Sequence, residues 1–211
     1  EFRRVLFRSK ATLQRRPLVK KILEGADDNL LVIAGLGSPN WDITEAGDRD
    51  LNMPLWGAMG APVGMGLGLA LAQPGKRVLV ITGDGDMLMS MGSLATVAAQ
   101  GPENLAICVL DNEKFGETGN QATHTSPRNN GPTDSGAGTD LSVIARGCGI
   151  ADSVLVREQS EVPQLIKDLR GKKGPVFRLV KVMVEKLDFI MPPQDGAHLK
   201  DRFRAALLGK A

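Results

Sequence analysis

Residues 77–90, RVLVITGDGDMLMS, constrain the fold more than any other stretch of the chain. The apolar run from Arg77 to Thr82 reads as a fully buried strand, and it ends at a turn, Gly83 to Asp86, that sets two carboxylates among glycines. A helix is predicted from about Met87 to Gln100, and a second buried strand follows from Leu105 to Leu110. Strand, helix and strand in that order make a crossover, the unit of a parallel sheet. Burying an unpaired anion costs several kcal/mol or more, roughly, on transfer scales. Something positive is therefore expected at the Gly83–Asp86 turn.

The same alternation extends along the rest of the chain. RPLVKKILE (16–24) spaces its apolar residues as a helix does, and NLLVIAGLG (29–37) reads as a buried strand closing on glycine. SPNWDITEAG (38–47) opens with the Ser and Pro that start helices, and LNMPLWG (51–57) is a short extended piece interrupted by Pro54. GAPVGMGLGLALA (60–72) reads as a buried helix, because dense Gly and Ala permit close packing at some loss of helix propensity. After a polar, Gly-rich segment from Asp111 to Thr139, helix 140–149, strand 153–158, helix 160–171 and strand 175–184 follow in turn. A loop as long as 111–139 inside a compact domain points to function or disorder. The predicted architecture is α/β, a doubly wound parallel sheet. A tail containing Pro192-Pro193 ends in an amphipathic helix on which Leu199, Phe203 and Leu207 recur every four residues.

With 211 residues, 42% hydrophobic and 24% charged, the chain can bury one substantial core, as a single domain does. The 26 Lys and Arg against 24 Asp and Glu leave a net charge of +2, without a basic cluster, so nucleic acid is not an expected partner. Two cysteines, Cys108 and Cys148, indicate neither a disulfide framework nor a zinc or iron–sulfur site, and a reducing cytoplasm suits them. No apolar run approaches the roughly 18 residues of a membrane helix, and no signal peptide is evident. The stretch EFRRVLFRS (1–9) reads as a non-native or disordered arm and is left out of the fold.

In open α/β sheets ligands bind at the carboxyl ends of the strands, and a Gly-rich turn entering a helix offers free N–H groups to phosphate. Asp84 cannot itself hold a phosphate, but a cation between the two reconciles them. Mg²⁺ suits, since it takes one or two protein oxygens together with diphosphate and water. Asn112, at the end of the next strand, offers a neutral amide oxygen on the same sheet edge.

The run Gly83-Asp84-Gly85 followed by Asp111-Asn112 resembles the signature of the thiamine-diphosphate (ThDP) enzymes. LWGAMGAPVGMGLGLALA, GDGDMLMSMGSLATVA and ETGNQATHT, with the closing PPQDGAHLKDRFRAALLG, are similar to the diphosphate-binding (PP) subunits of the sulfopyruvate and phosphonopyruvate decarboxylase family. The resemblance implies a PP domain at 10–190, followed by the tail, 191–211. It implies that Asp84 and Asn112 give side-chain oxygens, and Lys114 its carbonyl, to Mg²⁺. Gly83, Gly85 and Asp86 would line the diphosphate, with Gly116 and Glu117 in the following loop. Met59 falls where the family places the apolar prop beneath the bent cofactor, and the Gly57 carbonyl where one accepts from the aminopyrimidine.

Three positions depart from the pattern. Asp86 stands where Ser or Ala is usual, Asp111 replaces the first Asn of the pair, and Gly119-Asn120 replaces Gly-Gly. Met59 taken alone is a gap-filling core residue. His124 reads either as a solvated loop histidine or as a substrate-contacting acid or base. Glu117 and Gln121 are candidates by loop position, His198 is a surface or interface residue, and Trp41 and Trp56 are packing residues.

The activity implied is ThDP-dependent decarboxylation of a small 2-oxoacid to an aldehyde. Carboligation in the manner of acetolactate synthase, 2-oxoacid oxidation, and a non-catalytic structural subunit are the alternatives. The activating Glu of this superfamily comes from a pyrimidine-binding domain that a chain of this length does not accommodate. The resemblance thus implies a hetero-oligomer with an alpha subunit supplying that Glu, its interface covering the apolar Gly57–Ala72 stretch and the amphipathic tail.

Overall fold

The computed structural model describes residues 11–127 and 138–209, so the expected arm at 1–9 and the middle of the 111–139 segment lie outside the described residues. The strands are β1 (Leu30–Ala34), β2 (Asn52–Pro54), β3 (Arg77–Gly83), β4 (Leu105–Asp111), β5 (Lys114–Phe115), β6 (Gln121–Ala122), β7 (Asp152–Val156) and β8 (Val176–Lys181). Six of them form one parallel sheet in the order β2-β1-β3-β4-β8-β7, while β5 and β6 pair antiparallel as a separate ribbon. The helices are α1 (Arg15–Leu23), α2 (Ser38–Ala46), α3 (Pro62–Ala72), α4 (Asp84–Met89), α5 (Ser93–Gln100), α6 (Leu141–Gly147), α7 (Val162–Gly171) and α8 (Gly196–Leu208).

Every residue of β1, β4 and β8 is buried. Side chains alternate across a strand, so each one feeds two cores. On one face Val32, Leu79, Ile81 and Cys108 meet Leu18 and Ile22 of α1, Ile43 of α2, and Leu165 and Leu169 of α7. On the other, Leu31, Val80, Ile107 and Val109 meet Val63 and Leu67 of α3, Met87 of α4, Leu94 of α5 and Leu141 of α6. Full burial of each such aliphatic side chain contributes roughly 1.5–3 kcal/mol. Both faces of the sheet are covered, as strands without polar alternation require.

β1 and β3 are neighbours, with Ala34 opposite Ile81, yet the chain leaves β1 through α2 towards β2 and leaves β3 through α4 and α5 towards β4. The two exits diverge and open a crevice at the carboxyl edge, the switch point at which α/β sheets bind ligands.

Several elements differ from expectation. The helix predicted from Met87 to Gln100 is two helices separated at Ser90–Gly92, where Ser93 Oγ donates to the Ser90 carbonyl at 2.6 Å. Such short hydroxyl-to-backbone bonds compete with the helical ladder, and Gly92 adds backbone freedom. No free turn separates β3 from α4: Gly83 is itself the N-cap and the helix begins at Asp84. α3 buries only one face. There Gly66 lies so close to β3 that a Cβ would stand 2.3 Å from Val80 Cγ2, while Met65 and Leu71 face outwards. The tail helix α8 turns Leu199 and Phe203 into its own chain's core, so that apolar face is already covered.

Candidate functional site

The register of β3 with β4 sets Gly83 opposite Leu110. The next residue of each strand, Asp84 and Asp111, therefore emerges at the same level, and Asn112 follows directly. Asp84 is 2% exposed, and its Oδ2 accepts from Thr123 Oγ1 at 2.5 Å and from Thr125 Oγ1 at 3.0 Å. Among the described residues no side chain donates to its Oδ1. Burial, and then the neighbouring Asp111 charge, push the Asp84 carboxyl up to about 6 despite the two hydroxyls.

Asp111 is fully buried, and its Oδ1 lies 2.8 Å from the same Thr125 Oγ1, whose one proton is shared between the two carboxylates, while Lys181 Nζ from the end of β8 approaches Asp111 Oδ2 to 2.6 Å. Burial opposes the charge of Lys181, but Asp111 and Glu113 together hold its pKa above the ordinary value. Beyond β4 the chain reverses tightly. The Glu113 N–H donates to Asp111 Oδ1 at 3.1 Å, the Lys114 N–H donates to Asn112 Oδ1 at 3.0 Å, and Glu113 itself takes φ 62°. Side-chain oxygens bonding two residues ahead are the local device that builds such turns.

One cleft is lined by Met59, Gly83, Asp84, Gly85, Asp86, Asn112, Lys114, Gly116 and Glu117, all candidates from the sequence. Gly85 packs tightly there, since a Cβ would lie 2.5 Å from the Phe115 ring; Gly83 has open space where its Cβ would point. Glu117 reaches across to Gly37, and burial raises its pKa. Gly57 and His124 do not line this cleft. Gly57 is exposed at φ 62°, two residues ahead of Met59, and His124 is exposed between the buried Thr123 and Thr125. Sequence reasoning missed the cleft's other wall, Leu36 to Pro39 after β1, together with Arg15 and Phe115. Arg15 is buried with its Nη1 donating to Asp42 Oδ2 at 2.6 Å. The Gly-Leu-Gly-Ser-Pro entry into α2 was the signal available for that wall.

This donor set suits a small hard cation shared with a phosphate ligand. Among the described residues no group of three or more His, Cys, Asp or Glu side chains could hold a metal. One carboxylate and one amide oxygen at a cleft leave most of an octahedron to ligand and water oxygens.

Fold and cleft together define a parallel α/β domain with a ligand cleft at the carboxyl edge of its sheet, and comparison with known proteins gives its class. Residues 41–180 match the family described as thiamine pyrophosphate enzyme, C-terminal TPP binding domain, and the chain belongs to that family. It is 36% identical over 197 residues to the sulfopyruvate decarboxylase subunit beta of Methanocaldococcus jannaschii, covering 92% of this chain and 97% of that one. It is 33% identical over 174 residues to the subunit of the same name from Methanococcus maripaludis, covering 82% of this chain and 84% of that one. With the phosphonopyruvate decarboxylase of Streptomyces viridochromogenes it shares 31% identity over 199 residues, which is 94% of this chain and 47% of the longer relative. No helix among the described residues is long and apolar enough to cross a membrane.

Proposed function

We propose that this chain is the diphosphate-binding subunit of a ThDP- and Mg²⁺-dependent decarboxylase acting on a small 2-oxoacid with an anionic or polar tail, releasing CO₂ and an aldehyde. The observation that carries this reading is the placement of Asp84 and Asn112 at the ends of adjacent strands, on a cleft that Met59 also lines. When bound, ThDP supplies the nucleophilic carbon and the electron sink for loss of CO₂. The chain's own residues bind and orient it. Asp84, Asn112 and the Lys114 carbonyl hold the cation, and the backbone of Gly83 to Asp86 faces the diphosphate. Met59 supports the cofactor's shape, which is a matter of positioning.

The relatives named sulfopyruvate and phosphonopyruvate decarboxylase motivate the substrate class, and the designation subunit beta motivates a companion chain. That companion supplies the Glu that activates the cofactor. Its contact surface includes the outward face of α3, where Met65 is 41% and Leu71 49% exposed.

Titration calorimetry tests the metal-and-cofactor assignment. ThDP should bind the wild-type chain only with Mg²⁺ present, and Asp84→Ala or Asn112→Leu should abolish binding while the urea midpoint shows that the fold is retained. Normal ThDP binding by both variants would overturn the assignment.

A further inference from the structure

Asp86 lies on the cleft wall, but its carboxylate is committed inside the protein. It is 4% exposed; Oδ2 accepts from Thr82 Oγ1 at 2.5 Å, and Oδ1 accepts from the Gly60 N–H. Gly35 lies directly against the same group, since a Cβ there would stand 2.1 Å from Asp86 Oδ2 and 2.5 Å from Thr82 Oγ1. Three segments distant in sequence meet on this side chain: the exit from β1 at Gly35-Leu36, the loop before α3 at Met59-Gly60, and the β3–α4 junction. Each contributes cleft residues, namely Leu36 and Gly37, Met59, and Gly83 to Asp86.

We infer that Asp86 is a positioning residue that fixes the Met59 loop and the β1 exit to the diphosphate helix, setting where Met59 stands in the cleft. The inference rests on the functional reading above only for its consequence in turnover. A carboxylate suits the task because it offers two acceptor oxygens to donors on different sides, and an ionised acceptor makes roughly twice as strong a hydrogen bond as a neutral one. Gly60 sits at φ 87°, in the left-handed region, so the residue joined to Met59 occupies a backbone state that few other residues would hold. Its N–H is then directed at a single buried acceptor. Oδ1 and Oδ2 both accept from donors inside the protein, which holds the carboxylate in place between the two segments.

The test is amide hydrogen exchange on the full chain without cofactor, in the wild type, Asp86→Ala and Asp86→Asn. Peptides covering 57–61 and 35–37 should exchange at least about tenfold faster in Asp86→Ala, with β3 and β4 unchanged. Asp86→Asn retains one acceptor and should fall between, which also covers the case in which the alanine variant does not fold. ThDP affinity should fall less than about threefold, while turnover in the complete enzyme falls more than tenfold. Adding Met59→Ala to Asp86→Ala should reduce turnover little further. Unchanged exchange at 57–61, or an affinity loss as large as the turnover loss, would overturn the inference. Because exchange is read without cofactor, absence of ThDP binding by the wild type would defeat the functional reading and leave this contact network standing.

Discussion

Lys181 Nζ lies 2.6 Å from Oδ2 of Asp111, at facing positions on the neighbouring parallel strands β8 and β4. The same nitrogen donates to Glu113 Oε1 at 2.9 Å, so one buried cation is shared by two carboxylates behind Asp84. Lys181→Met would leave Asp111 buried and uncompensated. Breaking a buried pair by removing one partner costs about 3–5 kcal/mol, whereas removing both charges costs far less. Urea unfolding of Lys181→Met should show a loss of that size, and Lys181→Met/Asp111→Asn should regain at least half of it. Equal midpoints for the two would mean that the charge is balanced elsewhere.

Asp84 and Asn112 were legible because each ends an apolar run that can only be a central strand, and two consecutive parallel strands must finish on the same edge. The partners behind them were not legible. Lys181 arrives because β8 inserts between β4 and β7 out of sequence order, and no local pattern encodes that pairing. Thr123 and Thr125 hold Asp84 through an alternation that turns His124 outwards, although His124 was the residue the sequence singled out. Likewise, Asp86 could be recognised as a departure from the family pattern, but its neighbours Gly60 and Gly35 come from segments that only the folded sheet brings together.

Gly85 tests the packing of the cleft independently of its charges. Its missing Cβ is replaced by the Phe115 ring, 2.5 Å from where that atom would sit. Overpacking of this kind typically costs about 1–3 kcal/mol. Gly85→Ala should lower the thermal midpoint and weaken ThDP binding by displacing the β5 segment that carries Lys114. Phe115→Leu in the Gly85→Ala background should recover much of both. Wild-type stability of the single variant would show that the ring has room to move.

At the other end of β8, acid stability should depend on Asp168. Burial would raise its carboxyl pKa, but hydrogen bonds from Arg178 and Gln164, together with the charge of Arg178, hold it below the ordinary 3.8. A carboxyl depressed by folding contributes stability that is present above its unfolded value and is lost as pH falls through its folded value. The difference in unfolding free energy between wild type and Asp168→Asn should therefore be full at pH 6 and shrink below about pH 4. A difference independent of pH between 6 and 3 would assign the effect to lost packing around Arg178, which is 1% exposed.

The outward face of α3 bears on assembly. Pro62, Val63, Gly66, Leu67 and Ala70 pack inwards, which leaves Gly64, Met65, Gly68 and Leu71 on the opposite side. Nothing lies within 4 Å of where a Cβ on Gly64 or Gly68 would point, so a second helix could approach this face closely. Met89 is 63% exposed, and its Cβ lies 3.3 Å from the Cβ position of Gly60, close to where α3 begins. Apolar surface of this kind marks interaction sites when it is contiguous. Met65→Lys and Leu71→Lys should each reduce retention of the companion subunit about tenfold in co-purification, the effect of losing roughly 1.4 kcal/mol of binding. Because both side chains already face solvent, the chain's own unfolding free energy should stay within about 0.5 kcal/mol of wild type. Undiminished retention would move the interface elsewhere, and the segment bearing Val184, Phe189 and Met191, each at least 45% exposed, is the next surface to test.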